Sequence, residues 1–185
     1  QTPSGLYIFY CNNAYEGERA GTRIFCDRMT APDQLEGHPQ CVVEPTLDEE
    51  IFMRDRFRPG QHWHTIEGAF YFFHEGYHYL MYSGACYQNP TYFIGYCTAH
   101  APQEADLRTL PWQKFPDAHT YLPLMKKNAF MEGMGHNSVL FDGGKCYIIY
   151  HGRDLSDAQN PVDTRCARID EMHVDQGRLS VTPTP

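Results

Sequence analysis

No run of apolar residues in this chain of 185 approaches the length of a membrane-crossing helix, and its N-terminus shows no basic region followed by an apolar one. The mature form of a secreted protein has the same appearance. Positive charge is scarce: Lys and Arg number 15 against 23 for Asp and Glu, a formal net charge of −8. That balance argues against a nucleic-acid partner or an anionic membrane surface and suits a neutral partner such as a sugar. There is no Cys-x-x-Cys pair among Cys11, Cys26, Cys41, Cys86, Cys97, Cys146 and Cys166. Their number is odd and most lie in apolar, strand-like runs, the pattern of buried free thiols, which favours a reducing compartment such as the cytoplasm. No Asn-x-Ser/Thr glycosylation acceptor remains once Asn89-Pro90-Thr91 is set aside for its proline. Helical periodicity is almost absent.

Aromatic residues are plentiful, at 14% with 13 Tyr and 11 Phe, which leans toward an all-β fold with exposed ring platforms. They concentrate between Thr65 and Ala99, where two aromatic runs flank the polar break His74-Glu75-Gly76-Tyr77 and a third run follows Asn89-Pro90. This predicts a three-strand antiparallel meander. One carboxylate, Glu67, stands near its start between Ile66 and Gly68-Ala69-Phe70. A carboxyl in such surroundings loses hydration, which raises its pKa and suits it to donate a proton near neutral pH. The other reading is an edge-of-sheet glutamate facing water.

The remaining chain reads as short strands separated by turn residues. Before the meander come Gly5–Cys11, Gly21–Arg28 and Gln40–Glu44; Leu47–Arg58 is charged and reads as either a helical turn or an extended crossover. After it, Pro111–Lys114 reads as a short outer strand and 116–134 as irregular. Strands follow at Gly135–Phe141, Cys146–His151, Arg165–Ile169 and, after a turn, up to Val181. Around eleven short strands in a chain of single-domain length mean a sandwich, barrel or propeller, and three successive strand groups favour propeller blades.

Two histidine motifs suggest a metal. His74-Glu75-Gly76-Tyr77-His78 matches the H-E-x-x-H signature letter for letter. That chemistry requires a helix placing both imidazoles one turn apart, and here the five residues form a hairpin turn. In His62-Trp63-His64 the two histidines share a face of an extended segment without an evident third ligand, so a solvent-facing or sugar-facing His64 is the better reading, with Trp63 beside it.

Four segments in order resemble the C-terminal part of glycoside hydrolase family 43, the inverting β-xylosidases, α-L-arabinofuranosidases and arabinanases. Ile66-Glu67-Gly68-Ala69 with Tyr79-Leu80-Met81-Tyr82-Ser83 is similar to the family's Glu-Gly-Pro strand pair, with Ala69 in place of proline. Tyr92–Ala99 with Pro111–Lys114, Gly133–Val139 with Tyr147–His151, and Thr164–Ile169 with Asp175-Gln176-Gly177 resemble the segments that follow. The resemblance implies a five-bladed β-propeller, of which about three blades would be present as one domain over 1–185. It implies Glu67 as general acid, His136 as the axial histidine beneath the sugar, and Arg165 as a sugar-reaching arginine. No cofactor is required, and a structural calcium near His136, held through water, is compatible with it. The partner implied is an oligosaccharide or small glycoside, with no nucleic acid and no membrane.

The family's two catalytic aspartates lie upstream of the strand that starts at Gly5, and the motif around Asp48 and Asp55 is not theirs. An inverting glycosidase needs a base about 6.5–9.5 Å from its acid. The expectation is therefore a partial propeller carrying the acid, with the base supplied by a complementary N-terminal polypeptide or an oligomer. The alternatives are a non-catalytic sugar-binding module and a structural half of a split enzyme.

Overall fold

The computed structural model describes residues 2–160 and 162–185, which fold into three antiparallel-dominated sheets that follow one another along the chain. The first holds β1 (Leu6–Ala14), β2 (Gly21–Ala31), β3 (Gln34–Leu35), β4 (Gln40–Val43), β5 (Ile51–Met53) and β6 (Trp63–His64). Its long ladder runs from Leu6 opposite Met29 to Ala14 opposite Gly21, and β6 joins it by one parallel pairing, Gly21 to His64. The middle sheet is the meander, β7 (Ile66–His74), β8 (Tyr77–Gly84) and β9 (Phe93–His100), completed by β10 (Gln113–Lys114). The third is β11 (Met131–Asp142), β12 (Lys145–Asp154), β13 (Cys166–Asp175) and β14 (Arg178–Val181).

The segment carrying the metalloprotease-like letters is the β7–β8 hairpin. Glu75 and Gly76 both take positive φ, 46° and 84°, as a two-residue turn matched to strand twist requires. His74 stacks on Phe141, whereas His78 is buried, accepting from the Tyr71 hydroxyl and donating to the Pro102 carbonyl. The two rings therefore do separate jobs.

The middle sheet is covered on both faces, which explains the unbroken apolar run in β8. Tyr79 and Met81 join Phe72, Ile94, Met134, Ile148 and Tyr150 in a core shared with the third sheet. Leu80 and Tyr82 point the other way and pack with Ile24, Val43 and Phe93 against the first sheet. A strand buried on both faces cannot alternate apolar with polar. Each large side chain so enclosed contributes about 1.5–3 kcal/mol.

The outer faces of the two flanking sheets are also apolar. Strand register sets Leu6 beside Met29 and Tyr10 beside Phe25 on one, and Leu140 beside Tyr147 and Ile149 beside Ile169 on the other. Leu140 and Ile169 are exposed.

Several expectations need correction. All seven thiols are free, but Cys11, Cys41 and Cys166 are exposed residues, although Cys11 still turns its Sγ toward the Ile66 carbonyl. The strands number fourteen among the described residues: β3 and β6 are two-residue pieces below the reach of periodicity, and β5 lies in the charged stretch, whereas β10 falls within the expected Pro111–Lys114. The charged stretch after Leu47 is both things considered: one 3₁₀ turn, Asp48–Glu50, followed by extended β5. Strand β11 begins at Met131, inside the stretch expected to be irregular.

Candidate active site

Glu67 lies on β7 where that strand leaves its regular register, a bulge separating the pairs Glu67–Ser83 and Phe70–Met81. A bulge bends the strand and re-aims the side chain beside it. Gly68 makes this possible, with φ at +64°; a Cβ there would also stand 3.2 Å from the His136 ring. Both conditions select glycine. Strand β11 is irregular at the matching place, with register shifts on either side of Gly135 and His136 at a φ of 54°. The backbone N–H of His136 donates to the buried Ser83 Oγ at 2.7 Å, while its ring is exposed against Gly68.

The carboxylate itself is half-buried and held. The Tyr92 hydroxyl donates to Glu67 Oε1 at 2.8 Å. Tyr92 is fully buried, stacked on His151 with centroids 5.7 Å apart and packed so closely on Gly135 that a Cβ there would fall 1.8 Å from the ring. Burial first, and then the charge of Glu67, push the phenol's pKa well up, so Tyr92 remains a proton-bearing donor at all ordinary pH. Burial also lowers the His151 pKa to about 4, with the positive charge of Arg165 adding to it, and that ring is neutral at pH 7.

From the first sheet, Thr22 Oγ1 both donates to the Ile66 carbonyl, at 2.8 Å, and accepts from the Ile66 N–H, at 2.9 Å. Cys11 Sγ reaches the same carbonyl at 3.6 Å, and its pKa is raised by burial and then by the charge of Glu67. The residue before the carboxylate is thus pinned on the first-sheet side, and the carboxylate on the middle-sheet side. Arg165 lies over the Tyr87 ring at 4.5 Å and pairs with Asp163 at 2.5 Å, and its charge is felt at Tyr92 and His151.

The structure therefore gathers Glu67 and His136, with Arg165 near enough to act on their supporting rings. It does not present His64 to solvent. His64 is 2% exposed, donates from Nδ1 to the Ala20 carbonyl and accepts from Arg19 at Nε2. The reason is its pairing with Gly21, which folds β6 onto β2 and encloses the ring. Trp63 is 4% exposed beneath other aromatic side chains. Tyr92, one residue before β9, and Ser83, near the end of β8, hold the site together; both lie in segments that carry the family resemblance, but nothing in those segments marks them as site residues.

Calcium takes six to eight oxygen ligands. Among the described residues no three His, Cys, Asp or Glu side chains are grouped to hold a metal.

No protein-family model and no curated protein matches the chain. Solved structures do. A thermostable family-43 glycoside hydrolase is 30% identical with a TM-score of 0.69, over 97% of this chain and 55% of that one. An α-L-arabinofuranosidase from Lactobacillus brevis is 22% identical with a TM-score of 0.78, over 100% of this chain and 55% of that one. An endo-1,4-β-xylanase from Bacteroides thetaiotaomicron is 21% identical with a TM-score of 0.67, over 96% and 54%. The fold is that of family-43 glycoside hydrolases, and the chain spans about half the length of these structures.

Proposed function

We propose that this chain is the acid-bearing part of a family 43 glycosidase that cleaves pentosides, β-xylosides or α-L-arabinofuranosides, with inversion. In this reading its three sheets are consecutive blades of a five-bladed propeller. The observation that carries it is the Glu67–Tyr92 pair: a half-buried carboxylate, held by a buried phenol at 2.8 Å, opens beside an exposed histidine at a bulge in the first strand of the middle sheet. Resemblance to a family-43 glycoside hydrolase at 30% identity supports the same reading.

Mechanistically, Glu67 protonates the leaving glycosidic oxygen while a water attacks the anomeric carbon from the opposite face. Tyr92 fixes the carboxyl, and the Gly68 bulge lets the His136 ring lie flat against the strand beneath the sugar. Arg165 reaches the sugar's hydroxyls. In this reading the base lies outside these residues, on an N-terminal segment or another chain; of the nearby aspartates, Asp48 is engaged by Arg19, and Asp55 accepts from the Gly60 N–H and faces His62. The reading is tested by chromophore release from nitrophenyl xyloside and arabinofuranoside with the complementary polypeptide present. Activity lost in Glu67→Gln supports it; no release from either substrate overturns it. Binding without hydrolysis would leave the sugar-binding module.

A further inference from the structure

The loop between β5 and β6 is the basic part of an acidic protein. It carries Arg54, Arg56 and Arg58 in a chain of net charge −8. Its one carboxylate, Asp55, is occupied by Gly60 and His62. None of the three arginines has an ion pair among the described residues, although Arg19, Arg23, Arg108, Arg153, Arg165 and Arg168 all do.

Arg56 is held without a carboxylate. Its guanidinium lies 4.6 Å from the centre of the Trp63 ring, 5.2 Å from Phe57 and 5.5 Å from Phe52. Tyr15, from the β1–β2 loop, closes the group at 5.2 Å from Trp63 and 6.3 Å from Phe57. Trp63 forms the buried floor at 4% exposure, whereas Tyr15 and Phe57 are 59% and 56% exposed. Two large rings left in water beside a guanidinium with unused donors are a costly arrangement for a surface without a ligand. The three rings are tilted or edge-on to one another, so Tyr15 and Phe57 keep open faces. An open ring face suits the apolar face of a sugar, and the planar fork of an arginine suits a carboxylate.

We propose that Tyr15, Phe57 and Arg56 form a distal subsite for an acidic sugar, a ring that carries a carboxylate. The proposal rests on the reading that the chain engages oligosaccharides. Only His64, Thr65 and Ile66 separate Trp63 from Glu67, a path of at most about 13 Å along extended chain. The platform therefore addresses a neighbouring unit of the oligosaccharide bound at Glu67, or a branch upon it. Rings supply affinity for any sugar; Arg56 supplies the preference for the charged one.

The test is calorimetric titration of the protein as Glu67→Gln, which keeps the ligand intact, with a xylo-oligosaccharide bearing one glucuronosyl branch and with the same oligosaccharide unbranched. The acidic ligand should bind about tenfold more tightly at low salt, and the preference should shrink at high salt. Adding Arg56→Gln should bring the acidic ligand down to the neutral one's affinity, and adding Phe57→Ala should weaken both. Equal affinities for the two ligands, a preference that survives Arg56→Gln, or no binding of either would overturn the proposal. Hydrolysis is not part of this readout. An inactive protein that keeps the preference refutes the glycosidase alone, and an active one without it refutes the subsite alone.

Discussion

Tyr92 donates one hydrogen bond whose acceptor is the carboxylate at the centre of the account, and its ring has nowhere else to go. Removing the hydroxyl leaves the packing and frees the carboxyl. Tyr92→Phe should therefore lower kcat about tenfold or more with KM nearly unchanged, since a hydrogen bond to a charged group contributes about 1.5–3 kcal/mol. Steady-state kinetics check this; a change confined to KM would assign Tyr92 to substrate binding instead. Its neighbour His151 makes a prediction about pH. Folding lowers that imidazole from 6.5 to about 4, so the unfolded chain binds a proton that the folded one refuses. Stability is then whole above pH 6.5 and is lost as pH falls toward 4, by at most about 3 kcal/mol and less for a ring that keeps some solvent contact. His64 and His78 are depressed in the same direction by burial. The slope belonging to His151 is consequently the difference between the protein and His151→Phe, measured as urea midpoints at pH 7, 5.5 and 4.5. Parallel curves would contradict it.

Among elements, the short strand β10 is tied across the sheet boundary by a buried ion pair. Lys114 Nζ lies 2.5 Å from Glu50 Oε1, and the other carboxylate oxygen accepts the N–H groups of Thr46 and Leu47. Removing the cation leaves a buried, uncompensated carboxylate. Lys114→Met should cost about 3–5 kcal/mol, and Glu50→Gln in the same chain should return much of it by removing the charge while keeping an acceptor. Denaturant unfolding of the two variants checks the order. Legibility in the sequence follows the same scale. The β7–β9 meander was readable because its rings and turn residues agree over some thirty-five positions, and the hairpin reading of His74–His78 followed from that agreement. The start of β11 was not, because Gly133 reads as a breaker and its role in a bulged inner strand depends on Arg153 lying against it. The enclosure of His64 rests on its pairing with Gly21, far earlier in the chain, as well as with Ile51, and no local pattern contains the first of these. Glu67 and His136 could be singled out from their motifs; Tyr92 could not, because its partner is distant and the resemblance of its segment does not mark it as a site residue.

At the scale of the molecule, the middle sheet is covered twice and each flanking sheet once. The outward residues Leu6, Tyr10 and Phe25 on one side, and Leu140, Tyr147 and Ile169 on the other, form the kind of face that a neighbouring blade covers. These 185 residues alone should therefore self-associate or require a complementary polypeptide, as size exclusion with light scattering would show. A sharp-melting monomer would contradict this and strengthen the sugar-binding reading.

The role proposed for Glu67 is to deliver the proton to the leaving group. Its most direct test is Glu67→Ala, assayed with the complementary polypeptide on two pentosides that differ only in the leaving group. For a poor leaving group that needs a proton, kcat/KM should fall about 10²–10⁴-fold. For a dinitrophenyl glycoside, which needs none, it should change little. Equal loss on both substrates, or no loss on either, would contradict the claim.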